Sequence, residues 1–352
     1  MAITQNGEAK VRITDVAEVL GVAPSTVSRA LNGKKGVGAR QREKILALAK
    51  EMGYEAETDE SQSEKPVKRP LRETTSNKIA FVLGDIRNPF YVDLAYNIQK
   101  RLSDEGYQIV IFNTEYSLER EQEILLQADS ENLAGVFLVT VQSESIVEAL
   151  HSVSLPVVLV NRNLPMFSGD SVFADNFQAG YLAAVHLIDL YHKKIGFIRG
   201  PEVSSASSMR YDGFVQAMSN FGLLVDERFI FESDLKLESG REAAKALLLH
   251  AAEERPTAMI VGNDLTALGF MDECKNQGLS IPEDLSVISF DNIVYSSLKG
   301  IELTTVSQHV EEMSSEAARL MLKQLKGDTE HPERIIITPE LVVRRSTMQA
   351  VK

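Results

Sequence analysis

The 352-residue sequence predicts a small all-α head followed by a larger α/β body of two lobes with parallel sheets. Apolar residues keep a helical spacing up to residue 54, and a polar, proline-containing segment follows at 55–77. From residue 78 onward, strand-like runs alternate with helix-like stretches, which is typical of parallel sheets covered on both faces. The predicted domains are 1–54, a linker at 55–77, and 78–352. Lobe 1 is placed at about 78–175 and 306–335, and lobe 2 at about 176–305 and 336–352.

Three short helices are predicted in the head. Thr14 is expected to cap the first, which ends before Gly21, and the second begins near Pro24. The third is expected from about Arg40 to Met52. The residues predicted to face inward are Val16, Ala17 and Leu20 in the first helix, Val27, Ala30 and Leu31 in the second, and Ile45, Leu46, Ala49 and Met52 in the third.

A tight glycine turn between the first two helices is typical of a helix-turn-helix. The outward side of the second helix carries side chains that can bond phosphates or base edges, namely Ser25, Thr26, Ser28, Arg29 and Asn32. The alternative is a solvated face on a generic helical hairpin.

The predicted strands of the body form two series. The first comprises Ile79–Leu83, Ile109–Phe112, Val136–Val139 and Val157–Val160, and the second Ile195–Ile198, Phe229–Phe231, Ala258–Val261 and Val287–Phe290. The stretch from Thr304 onward is expected to cross between the lobes.

Polar side chains follow the predicted strands, where ligands bind in open α/β sheets. They include Asp85 and Asn88, Asn161 and Arg162, the segment 204–210, Asn263 and Asp264, and Asp291 and Asn292. Such side chains suit a hydroxyl-rich ligand, with Phe90 and Tyr91 packing on its C–H side. Polar residues also favour loops for local reasons, which is the competing interpretation.

Composition and charge narrow the function. The net charge is −13, yet residues 1–54 carry nine Lys and Arg against five Asp and Glu, so only the head is expected to meet phosphate. No apolar run is long enough for a membrane span, and the N-terminus lacks a secretory signal. With one cysteine, Cys274, a reducing cytoplasm is expected.

Motifs of common enzyme classes are missing from the sequence. The six histidines are scattered, without the spacing of a zinc protease, and neither a nucleophile elbow nor a phosphate-binding glycine loop is found. We therefore expect no enzyme activity, no cofactor and no metal.

The segment Ile13–Asn32 closely resembles the head of the lactose-repressor/galactose-repressor (LacI/GalR) family of transcriptional regulators. The likeness continues in the family's order over nearly the whole chain, apart from residues 55–66. It runs through Asn88–Phe90, Pro156–Val158, Asn161–Arg162, Asp175–Asn176, Arg210–Phe214, Pro256–Ala258, Asn263–Asp264, Pro282–Ser286, Phe290–Asn292, Leu303–Val306, Pro339–Leu341 and Arg345–Thr347. The resemblance implies a periplasmic-binding-protein-like sensor behind the helix-turn-helix.

For the head, the resemblance implies a homodimer that places two recognition helices in successive major grooves of a pseudo-palindromic operator. The implied DNA contacts are Pro24, Ser25, Ser28 and Arg29, together with Thr14 and Thr26. Asn32 is expected near the DNA backbone. Leu71 sits where the family wedges a leucine into the minor groove. Pro70 disfavours a hinge helix there, by about 3 kcal/mol in an interior position.

For the sensor, the resemblance implies an effector pocket lined by Phe90, Tyr91, Asn161, Ser204, Arg210, Leu235, Asn263, Asp264 and Asp291. Arg210 and Asp291 are expected to fix a hydroxylated ring. The family often has an aromatic ring where this chain has Leu235, and the chain has no Trp, so the identity of the effector stays open.

The implied function is a repressor switched by a sugar or sugar derivative. A regulator that acts through a protein coeffector stays open, whereas an exported sugar-binding protein would have no use for the head.

Overall fold

The computed structural model describes residues 13–20, 22, 26–27, 30, 38–52, 76–139, 145–328 and 331–350. The chain divides into two compact units, Met1–Arg69 and Pro70–Lys352. Within the described part of the chain, no helix is long and apolar enough to cross a membrane.

The first unit contains helices α1 (Ile13–Leu20) and α2 (Ala39–Glu51), and Thr26, Val27 and Ala30 between them are also helical. Its core consists of Val16, Ala17, Val27, Ala30, Ile45 and Ala49, with Leu20, Val22, Leu48 and Met52 packed against it. The helical periodicity therefore located most of this core correctly.

Two details of the head were predicted wrongly. Leu46 is 44% exposed, and Leu48 packs inward instead, because the buried stripe of α2 follows the spacing of Ile45, Leu48, Ala49 and Met52. Helix α1 begins at Ile13, so Thr14 lies in its first turn and not at the cap. Gly21, Pro24 and Leu31 lie outside the described residues.

The first sheet of the second unit has the strand order β11-β5-β4-β3-β1-β2, and all of its pairs are parallel. Its strands are β1 (Lys78–Leu83), β2 (Gln108–Asn113), β3 (Gly135–Leu138), β4 (Val157–Val160), β5 (Asp170–Ala174) and β11 (Arg334–Ile337). Helices α3 (Pro89–Ser103) and α10 (Val310–Leu325) cover one face, and α4 (Leu118–Ser130) and α5 (Ile146–Ser152) cover the other.

The second sheet has the order β12-β10-β9-β8-β6-β7 and is parallel except for β12. Its strands are β6 (Ile195–Arg199), β7 (Ile230–Glu232), β8 (Ala258–Val261), β9 (Ser286–Asp291), β10 (Thr304–Ser307) and β12 (Glu340–Val342). One face is covered by α6 (Asn176–Asp189) and α7 (Ser205–Asn220), the other by α8 (Leu237–Leu248) and α9 (Asp264–Asn276). Short 3₁₀ turns lie at Glu227–Phe229 and Val294–Ser297.

The chain passes between the two sheets three times: at Asp175, at Gln308–His309 and at Thr338–Pro339. The lobe boundaries therefore differ slightly from those expected. Val306 pairs with Phe290 in the second sheet, so lobe 2 extends beyond residue 305. Ile337 pairs with Ala174 in the first sheet, so lobe 1 extends beyond residue 335.

Candidate ligand-binding cleft

A narrow cleft lies between the lobes, at the carboxyl ends of strands from both sheets. It is lined by Asn88, Phe90, Tyr91, Asn161, Arg162, Ser204, Ala206, Ser207, Arg210, Leu235, Gly262, Asn263, Asp291 and Gln308. Eight of the nine proposed effector residues are brought together here.

Asp264, the ninth residue, does not line the cleft. It is fully buried, and its carboxylate accepts hydrogen bonds from the hydroxyls of Ser289, Ser296 and Thr305 and from the Ile293 backbone N–H. Burial raises its pKa, and these bonds oppose that effect. Asp264 thus holds the loop after β9 in place through buried hydrogen bonds and does not face the cleft. Its assignment as a lining residue was wrong.

Three of the polar lining residues also begin helices. Asn88 accepts from the backbone N–H of Phe90 at the start of α3, and Asn263 accepts from that of Thr266 at the start of α9. Ser204 is the N-cap of α7. Helix capping therefore accounts for part of the polar character that marked these positions in the sequence.

Arg210 is held by a set of buried partners on lobe 2. Its Nε donates to Asn176 Oδ1 at 2.8 Å and its Nη1 to the Gly262 carbonyl at 2.7 Å. Its Nη2 lies 3.5 Å from Asp291 Oδ1, and the guanidinium stacks 4.6 Å from the centre of the Phe290 ring. Burial lowers the pKa of Arg210, and the Asp291 charge counteracts this.

Asp291 is 5% exposed and also accepts a hydrogen bond from Gln308 Nε2. Burial raises its pKa to about 7, although Arg210 acts in the opposite direction. The raised pKa brings the protonated form of Asp291, which can donate to a ligand, closer to neutral pH.

The lobe 1 side of the cleft is formed by Arg162, Asn161 and two rings. Arg162 Nη1 donates to the Asn161 carbonyl at 2.6 Å, and its Nη2 lies 3.4 Å from the Tyr91 hydroxyl. Phe90 and Tyr91 meet edge to face, with ring centres 5.4 Å apart. The rings provide apolar surface beside the charged group.

Three lining residues have left-handed or otherwise positive φ angles: Asn161 (60°), Leu235 (61°) and Asp291 (111°). Such conformations cost on the order of 1–3 kcal/mol each and persist where the surrounding structure imposes them, often at functional sites. In Leu235, the side chain packs against Gly200 and Gly262, and the carbonyl accepts from Asn263 Nδ2 at 3.1 Å.

Several buried polar atoms of the cleft have no hydrogen-bond partner within the protein: Asn161 Oδ1, Arg162 Nε and Gln308 Oε1. Buried polar groups are nearly always bonded, so such atoms gathered in one cleft indicate a polar occupant. Gln308 was missed from the sequence because it lies in a crossover segment and not behind a predicted strand. Arg162 was noted at a strand end but not assigned.

The residues proposed for DNA contact are only partly within the described chain. Thr26 is helical and half-buried, and Thr14 lies in α1. Pro24, Ser25, Ser28, Arg29, Asn32 and Leu71 lie outside the described residues. Among the residues that are described, no cluster of three His, Cys, Asp or Glu could hold a metal ion. Cys274 is buried in the core of lobe 2, and burial raises its pKa to about 12.

Comparison with known proteins identifies both parts of the chain. Residues 12–57 match the model for bacterial regulatory proteins of the lacI family, and residues 184–347 match a periplasmic binding protein-like domain.

Relatives match over almost the whole length. The HTH-type transcriptional regulator DegA of Bacillus subtilis is 33% identical over 96% of this chain and 98% of its own. The HTH-type transcriptional repressor CytR of Escherichia coli is 30% identical over 97% of each. A solved structure, the transcriptional regulator CelR–cellobiose complex, has a TM-score of 0.70 and 26% identity, covering 96% of this chain and all of that one.

Proposed function

The chain belongs to the lacI family of bacterial regulatory proteins, and from this premise we propose that it is a DNA-binding repressor switched by a small polar effector. It would bind a pseudo-palindromic operator as a homodimer, in the cytoplasm. The effector, a sugar or sugar derivative, would occupy the cleft between the lobes.

The observation that carries the effector site is the set of buried polar atoms without partners in the cleft. These atoms lie beside the Arg210–Asp291 pair, which offers charged groups in a fixed geometry. Acceptors from Asn161 and Gln308 suit ligand hydroxyls, and Phe90 and Tyr91 suit the apolar side of a sugar ring. The related CelR structure is a complex with cellobiose, which supports this ligand class.

The DNA-binding proposal rests on the head. Its packed three-part core and its match to the lacI family model support a helix-turn-helix. We assign base and phosphate contacts to Ser25, Thr26, Ser28 and Arg29, with Pro24, Asn32 and Thr14 adjacent. Leu71 would be the minor-groove wedge.

The proposed switch is a linkage between the cleft and the crossovers. Gln308 lies in the segment that joins β10 to α10, and it bonds Asp291 in the cleft. A ligand that competes for these groups would shift the equilibrium between two arrangements of the lobes. The operator affinity would then change by an amount that the ligand's differential affinity for the two arrangements sets.

Operator binding can be tested with the purified full chain, by selecting bound duplexes from a random pool. We expect a site of two related half-sites, since a twofold dimer reads a pseudo-palindrome. Arg29→Ala should lose the selected site, whereas the matched charge change Arg101→Gln, on the exposed end of α3, should retain it. Equal binding of all duplexes, or a single half-site, would contradict the proposal.

Ligand binding can be tested by thermal shift with sugars, sugar phosphates, sugar acids and nucleobases. A ligand at a hundredfold excess over its dissociation constant stabilises by about 2.7 kcal/mol. The stabilisation should be lost in Arg210→Ala and Asp291→Asn. Stabilisation that both variants retain would place the ligand elsewhere, and no stabilisation by any compound would favour a protein coeffector.

A further inference from the structure

We propose that the effector carries an anionic group, a carboxylate or a phosphate, that pairs with Arg162. The inference rests on the proposed function, because it specifies the class of ligand that the cleft would take. It also assigns a specificity-determining role to a residue that the sequence left without one.

Arg162 is a buried charge that forms no close ion pair, although at longer range its charge opposes the rise in the pKa of Asp291 that burial causes. Its exposed fraction is 4%, and it forms no ion pair with any carboxylate in the described part of the chain. Two of its nitrogens reach neutral oxygens of Asn161 and Tyr91, the latter at a long 3.4 Å, and Nε has no partner. Arg210, the other guanidinium in the cleft, has a carboxylate, an amide and a carbonyl as partners.

An isolated buried charge is costly, and buried arginines are for this reason almost always paired. Neutral hydroxyls of a sugar can bond the guanidinium, but they leave its charge uncompensated. A carboxylate or phosphate supplies both the opposite charge and acceptor oxygens in the geometry of the guanidinium.

The cleft as a whole carries an excess of positive charge. Its charged lining residues are Arg162, Arg210 and Asp291, although the chain has a net charge of −13. Burial raises the pKa of Asp291 to about 7, so its negative charge is only partly present at neutral pH. The positive charge of Arg162 also contributes to lowering the pKa of Arg210. An anion in the cleft would relieve this repulsion.

The helix termini add to this potential. Asn88, Ser204 and Asn263 line the cleft, and each is the N-cap of a helix of 13 to 16 residues. The N-terminus of a helix carries a partial positive charge, which favours anions nearby. Together with the unpaired acceptors Asn161 Oδ1 and Gln308 Oε1, these features describe a ligand with both hydroxyl groups and a negative charge.

The test uses the full-length chain and matched probes at constant ionic strength. Each set contains a neutral sugar, its uronic acid and its 6-phosphate, for glucose and for galactose, with inorganic phosphate and sulfate added separately. Dissociation constants are measured by calorimetry for the wild type, Arg162→Gln and Arg162→Lys. Arg101→Gln, an exposed surface change of the same charge, is the control.

We expect an acid or a phosphate ester to bind the wild type and Arg101→Gln at least about tenfold more tightly than its neutral parent, because a charge-assisted bond is added. Arg162→Gln should abolish that difference, and Arg162→Lys should restore part of it. Preference between the acid and the ester identifies which anion the site takes.

Two results would overturn the inference and leave the proposed function standing: a neutral sugar that binds as tightly as its charged forms, or charged forms whose affinity Arg162→Gln leaves unchanged. No binding by any probe, inorganic anions included, would count against both. The ligand-free melting temperature gives an independent check. Arg162→Gln should melt no lower than the wild type, and a large decrease would show that Arg162 is already satisfied within the protein.

Discussion

At the scale of single residues, the pair of Arg210 and Asp291 shows how burial sets the chemistry of the cleft. Each group is nearly inaccessible, and each would be costly alone. The contact at 3.5 Å and the separate hydrogen-bond partners of each group offset part of this cost, yet burial still raises the pKa of Asp291 to about 7. The cleft thus retains a carboxyl group whose charge changes within the physiological pH range.

This shift predicts a specific pH dependence of stability. An unfolded aspartate has a pKa near 3.9, so between about pH 4 and pH 7 the folded state keeps a proton that the unfolded state has released. The contribution of Asp291 to stability is therefore present at the acidic end and is lost as the pH rises to about 7, by on the order of a few kcal/mol. Asp291→Asn lacks this titration.

The measurement is the melting temperature of both proteins from pH 4.5 to pH 8. The wild type minus Asp291→Asn should be largest near pH 4.5, should fall steadily to about pH 7 and should then level off. Parallel curves would show that Asp291 titrates at an ordinary pKa.

Single residues of the cleft could be predicted from the sequence where they follow a strand, because the carboxyl ends of parallel strands meet at one edge of the sheet. Arg210, Asp291 and Asn161 were found in that way. The same reasoning could not separate Asp264, which faces away from the cleft, from Asn263, which lines it. Side-chain direction at a helix start depends on the backbone, and the sequence does not show it.

At the scale of elements, helix pairs on lobe 2 approach closely at glycines. A Cβ atom at Gly213 of α7 would collide with the Phe177 carbonyl of α6, and one at Gly180 of α6 would collide with the Arg210 carbonyl. The pair α8 and α9 has the same arrangement at Gly240 and Gly269. Because Gly180 meets the backbone of Arg210 itself, the α6–α7 contact positions the cleft as well as the core.

Gly213→Ala should therefore destabilise the protein, although alanine is the better helix former by about 1 kcal/mol. The backbone of α6 must move to admit a methyl group, and overpacking of this kind typically costs about 1–3 kcal/mol, which offsets or exceeds the gain in helix propensity. Urea unfolding measures the effect. Gln216→Ala, on the exposed side of the same helix, should stay within about 0.5 kcal/mol of the wild type. A neutral or stabilising Gly213→Ala would show that the two helices separate easily.

Strands with continuous apolar runs were predicted to within one or two residues, as for β4 and β8. The strands that the sequence did not reveal are β5, β10, β11 and β12. Asp170–Ala174 and Thr304–Ser307 are buried but carry polar residues, and the two others are short edge strands with partly exposed side chains. These strands form through pairing with distant segments, and local periodicity contains no sign of that pairing.

At the scale of the whole molecule, the sensor unit depends on three crossovers that join its lobes. One of them, Gln308–His309, touches the cleft through the bond from Gln308 to Asp291, and His309 adopts a left-handed φ of 49°. Another begins at Asp175, whose backbone N–H donates to the carbonyl of Ile337, the last residue of β11 before the third crossover. One crossover is thus bonded to the site, and the other two are linked where they begin.

This arrangement predicts a reciprocal coupling between the effector and the operator. If the ligand changes operator affinity by some factor, the operator must change ligand affinity by the same factor, since both follow from one coupling free energy. Such factors are typically 5- to 150-fold. We expect Gln308→Ala, which removes the bond to Asp291, to reduce the factor while operator binding without ligand persists.

Calorimetry of ligand binding with and without operator, beside anisotropy of operator binding with and without ligand, measures both sides. Equal operator affinity in the two conditions would mean that the cleft does not control the head, and an unchanged factor in Gln308→Ala would mean that the coupling runs through the other crossovers.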